Sequence, residues 1–86
     1  MKLSDLSVGQ TGIITNVGGR GALRLRFLDM GIIPNTKVKI QKTAPLGDPI
    51  QISVRGYELT IRKDDAAFID VIRKEAQINN AEGVNL

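Results

Sequence analysis

The stretch Arg26-Phe27-Leu28-Asp29-Met30-Gly31-Ile32-Ile33-Pro34-Asn35-Thr36-Lys37-Val38 decides the fold. An apolar, Arg-bearing run stops at Gly31 and Pro34 follows closely, which is the stop signal of a helix ending in a left-handed residue. Pro34 and Asn35 suit the second and third places of a type II turn, because Pro presets φ at one and Asn tolerates positive φ at the other. Beyond the turn, Val38 and Ile40 flank Lys39 in the alternation of a half-buried strand.

Working upstream, Ala22 to Met30 fits two periods. Leu23, Leu25 and Phe27 alternate with Arg24 and Arg26 as a strand would, yet Leu23, Phe27 and Met30 also share one stripe of a helix. The end signals favour helix. Leu25 and Leu28 then form a second stripe, which either buries against the barrel or stays open as a docking surface. Before it, Gly18-Gly19-Arg20-Gly21 breaks a first strand that holds Ile13, Ile14 and Val17, and Leu3, Leu6 and Val8 make an apolar entry.

Downstream, the strand from Thr36 to Lys42 runs into Ala44-Pro45-Leu46-Gly47, with Pro45 and Gly47 where a type I turn prefers them. Ile50, Ile52 and Val54 alternate behind Pro49, and Tyr57, Leu59 and Ile61 alternate after a reversal at Gly56. Three consecutive strands of one pattern predict an antiparallel meander. Asp64 or Asp65 is placed to cap a short helical turn reaching Phe68; Ile69 and Val71 either extend it or form a closing strand. The expected fold is mainly β: a small closed or nearly closed barrel with one short helix inserted and a helical turn near the C-terminus. It should occupy residues 1–75, and residues 76–86, polar and without periodicity, read as a disordered tail.

Composition excludes most catalysis. The 86 residues contain no Cys and no His, which removes disulfides, zinc fingers, imidazole ligation and any nucleophile with a His base. No apolar run approaches the roughly 20 residues of a membrane span, and Asp5 interrupts any signal-peptide core. A cytoplasmic protein with no cofactor and no direct membrane insertion is expected.

The net charge of +3 permits attraction to nucleic acid, and Lys37, Lys39 and Gln41 share a face of their strand, where a solvated surface is the simpler explanation. Aromatic platforms for bases are scarce: only Phe27, Tyr57 and Phe68 exist, the two Phe are expected in the core, and nucleic acid is not the expected partner. The glycine cluster lacks a phosphate-loop pattern and reads as a turn. The pairs Asp64 with Asp65 and Asp29 with Asp48 lack the spacing of a calcium loop, so no metal site is assigned. Leu46 is different, because its turn requires Pro45 and Gly47 but no large apolar side chain between them. It is either a docking point or folds back onto the barrel rim.

Arg26 to Pro34, Ala44-Pro45-Leu46-Gly47-Asp48-Pro49-Ile50, Arg55-Gly56-Tyr57-Glu58-Leu59 and Arg62-Lys63 before Ala66, in this order, closely resemble the FeoA family. Asn35 departs from the Gly that usually follows the Pro there, and Asn is the next best residue for a positive φ. The resemblance implies an SH3-like barrel acting as a small, non-enzymatic cytoplasmic partner of FeoB, the membrane transporter of ferrous iron. Leu25, Leu28, Leu46 and Tyr57 are the candidate partner-binding residues, and Gly31, Pro34, Asn35, Pro45, Gly47 and Gly56 the candidate turn residues. The alternatives are an SH3-like regulatory module related to iron-dependent repressors and a small basic nucleic-acid-binding barrel. Self-association is left open.

Overall fold

In the computed structural model, which describes residues 1–74, the elements run from a 3₁₀ turn at Leu3–Asp5 through β1 (Thr11–Val17), α1 (Gly21–Asp29), β2 (Lys37–Thr43), β3 (Ile50–Val54), β4 (Tyr57–Ile61) and α2 (Lys63–Ala66) to β5 (Ile69–Lys74). The tail expected over 76–86 lies outside the described residues.

The junction after α1 is closed by two crossed backbone bonds. Gly31 N–H donates to Leu28 C=O and Ile32 N–H donates to Phe27 C=O, both at 3.0 Å, with Gly31 at φ 89°. This is a Schellman motif, which satisfies carbonyls that a helix end otherwise leaves open. Its usual apolar partners are also present: Phe27 and Ile32, the residues joined by the longer bond, are both fully buried. Leu23 and Met30 lie partly buried against the same core. The inward stripe of α1 is therefore Leu23, Phe27 and Met30.

All strand pairs are antiparallel, in the order β4-β3-β2-β1-β5. The uncertain segment at Ile69 and Val71 is a strand, paired along the whole of β1. β4 and β5 occupy opposite edges of this order, so hydrogen bonding does not close the sheet into a ring. Inward side chains Ile14, Val38, Ile40, Ile52, Val54 and Val71 are essentially inaccessible, and Leu3 and Ala66 join them from the 3₁₀ turn and α2. No polar or charged side chain among the described residues is buried.

Two sequence expectations are corrected. The β2 alternation holds through Ile40 and then breaks, because a register shift between Ile40 and Lys42 places Gln41 in a bulge. Phe68, expected in the core, is 46% exposed. Its backbone explains why: Phe68 N–H donates to Asp65 C=O at 3.0 Å and its own C=O accepts from Gly18 N–H at 2.7 Å, so the main chain occupies the inside and the ring is left outside. A Cβ on Gly18 would sit 2.8 Å from that carbonyl oxygen. Gly18 is thus required for a close backbone approach.

The start of α2 is also built differently from the expectation. Its N-cap is Arg62, without a side-chain cap of its own, and Asp48 from the β2–β3 loop accepts the Lys63 N–H at 2.9 Å. Asp64 and Asp65 sit in the first turn, where negative charge complements the helix dipole, and Asp65 reaches Arg26 of α1 at 3.1 Å.

Candidate functional site

Because α1 presents Leu23, Phe27 and Met30 inward, Leu25 must point elsewhere, and it is 61% exposed. Leu28, one residue past the core stripe, is half-buried. The tight β3–β4 reversal brings Tyr57 towards it: Val54 pairs with Tyr57, leaving a two-residue turn in which Arg55 and Gly56 have φ of 53° and 82°. Positive φ at both central positions is the type I′ signature, whose twist matches that of the flanking strands.

Leu28 and Tyr57 consequently line one shallow groove of about 350 Å³, together with Met30, Gly31, Ile33, Asp29 and Arg55. Neither Leu25 nor Leu46 lines it. Leu46 projects from the β2–β3 turn, where Gly47 N–H donates to Ala44 C=O at 2.7 Å, and it is 96% exposed. It does not fold back onto the sheet. The candidate partner-binding residues thus divide into a groove with Leu28 and Tyr57, and two separate apolar points at Leu25 and Leu46.

Met30, Ile33 and Arg55 belong to the groove but escaped sequence reading. The signal for Arg55 was present, since a two-residue link between two alternating runs demands a I′ or II′ turn and marks both of its residues. Ile13 and Ile72, paired across β1 and β5, form another partly open apolar spot, with Ile72 58% exposed.

Three of the carboxylates are committed to structure. Asp48 caps α2, Asp65 pairs with Arg26, and Asp70 accepts from Lys2 Nζ at 2.6 Å and from Asn16 Nδ2 at 3.3 Å. The Lys2 hydrogen bond, aided by Asn16, holds the Asp70 carboxyl below its ordinary range. Among the described residues no three acidic side chains converge as a cation site would need, and no helix is long and apolar enough to cross a membrane.

An antiparallel five-stranded sheet with a short helix inserted between its first two strands defines a small SH3-like module. The FeoA domain profile matches residues 1–73, and the chain belongs to the FeoA family. It is 38% identical over 71 residues to the Fe(2+) transport protein A/Fe(2+) transporter FeoB fusion protein of Porphyromonas gingivalis, a match that takes in 83% of this chain and 8% of that protein. FeoA of Chlorobium tepidum, solved in solution, is 35% identical and superposes with a TM-score of 0.80 over 95% of this chain and 81% of its own. FeoA of Stenotrophomonas maltophilia, a prokaryotic SH3 domain protein solved with zinc, shares the fold at 21% identity (TM-score 0.75, 84% of this chain and 89% of that one). So does the IdeR of T. acidophilum, also at 21% identity, with a TM-score of 0.76 over 86% of this chain and 34% of that one.

Proposed function

We propose that this FeoA-family chain is a cytoplasmic accessory protein that docks on the cytoplasmic part of a FeoB-type ferrous iron transporter. The observation that carries the reading is the Porphyromonas gingivalis relative, in which the two proteins are one polypeptide; covalent fusion raises the effective concentration of two modules that act together. Its docking surface comprises the groove at Leu28 and Tyr57 and the apolar points Leu25 and Leu46. Exposed large apolar side chains on a rigid frame are the anchors that such contacts use.

Co-purification with the transporter tests it. Leu46→Glu and Tyr57→Glu both change exposed side chains, so both variants should keep the native melting temperature while losing capture by the transporter. Full retention of capture by both, with the fold intact, would remove this surface from the docking site. A native chain that fails to bind the purified transporter would remove the reading itself.

A further inference from the structure

On the outer face of the sheet, Lys37, Lys39 and Arg55 converge on a groove of about 660 Å³. Strand register assembles it from segments distant in sequence. Lys39 pairs with Thr11 of β1 on one side and with Ser53 of β3 on the other, so a hydroxyl-bearing residue stands next to it on each neighbouring strand. Lys37 lies two residues along the same face of β2, Thr36 adds a third hydroxyl, and Arg55 closes the groove from the β3–β4 turn.

Among the described residues no carboxylate lines this groove. The ion-paired carboxylates among the described residues serve Lys2 and Arg26. Glu58, which stands opposite Ser53 on β4, does not line the groove and accepts from Gln51 Nε2 at 2.7 Å. Three cations therefore share one concavity with no ion-pair partner among the described residues, an arrangement in which like charges repel.

Each of these side chains can donate, and three of them carry fixed positive charge, so the complementary ligand is an acceptor with more than one negative charge. A carboxylate brings a single charge, whereas a phosphate group brings about 1.5 to 2 and three acceptor oxygens. No aromatic ring lines the groove to stack a base, which disfavours single-stranded nucleic acid. We propose that this groove binds multiply charged phosphate groups, with Lys37, Lys39 and Arg55 as their charge partners. The site stands on its own residues and does not depend on docking to the transporter.

The ¹⁵N-labelled full chain is titrated with sodium triphosphate, with ionic strength held constant by sodium chloride. Saturable shifts are expected at the amides of Thr11, Lys37, Lys39, Ser53 and Gly56. Lys39→Gln should raise Kd about fivefold or more, while Lys63→Gln, which removes an exposed cation on α2 outside the groove, should bind as the native chain does. Native-like binding by both Lys37→Gln and Lys39→Gln, or equal weakening by Lys63→Gln, would show ordinary charge screening and overturn the site. Vesicles containing phosphatidic acid, whose headgroup is a phosphate monoester, form the second arm. Broadening of the same amides, reversed by triphosphate, assigns the phosphate to a lipid headgroup; triphosphate binding with no response to vesicles assigns it to a soluble molecule. Silence with both ligands refutes the proposal.

Discussion

Three of the residues with left-handed backbone differ in what that conformation costs them. Gly31, Asn35 and Arg55 all have positive φ, and their tolerance for it differs. Gly31 has none of the penalty; a Cβ there would meet left-handed strain and also stand 3.2 Å from Arg55 Cδ. Gly31→Val should lower stability by at least about 1 kcal/mol, read by denaturant unfolding. Arg55 lies at the other extreme, since a long side chain in this region costs about 1–2 kcal/mol and Asn suffers less. Arg55→Asn should therefore raise the unfolding free energy, by up to about 1 kcal/mol, while it weakens triphosphate binding; a fall in stability would mean that the arginine stem contributes more by packing than its backbone costs. Asp70 offers a third test at this scale. Because Lys2 lowers its folded pKa, its contribution is present above the ordinary aspartate value of about 3.9 and is lost as pH falls through the lowered folded value. Its carboxyl carbon should titrate below that ordinary value by NMR, and Lys2→Gln should move the midpoint upward. An unmoved midpoint would assign the shift to Asn16 instead.

Elements were legible in the sequence to the extent that one period dominated. The end of α1 and the strands β2, β3 and β4 follow from Gly31, Pro34 and the alternating runs after them, because those signals are local. β5 was ambiguous because Ile69 and Val71 fit either period, and only long-range pairing with β1 decides for strand. The outward ring of Phe68 was invisible for a related reason: the close approach of Gly18 to its carbonyl joins segments far apart in the chain. The candidate site divides in the same way. The turn marked Leu46 as unusual without deciding between exposure and packing on the rim, whereas the groove at Leu28 and Tyr57 and the row formed by Thr11, Lys39 and Ser53 depend on registers that no local pattern encodes. The start of α2 gives a measurable consequence. Asp48→Ala removes the acceptor for the Lys63 N–H and should cost about 1 kcal/mol, as loss of a helix cap does; native thermal stability in that variant would show that water replaces the carboxylate without loss.

At the scale of the molecule, one apolar layer holds everything together. Phe27 is the largest of its fully buried side chains, and it also joins the end of α1 to the sheet. Phe27→Ala should cost about 3–5 kcal/mol, a large share of the 5–15 kcal/mol typical of a whole domain, and should leave the chain partly unfolded at physiological temperature. Near-native stability would mean that the core collapses around the cavity. The sheet's two edges differ as well. Met1 lies along β5, with Val71 N–H donating to Met1 C=O at 2.8 Å, and Lys2 bridges to Asp70. Such cover blunts the tendency of a free strand to recruit another chain.

The Arg55 stem lies where a side chain on Gly31 would have to go, so the helix stop and the β3–β4 turn constrain each other although they are far apart in sequence. In a double-mutant cycle, Gly31→Ala should be less damaging when Arg55 is already Gly, because the new methyl group then meets no side chain, and the difference is a coupling free energy. A strictly additive pair would show that the inserted helix and the hairpin tolerate substitution independently, and that each could change without the other.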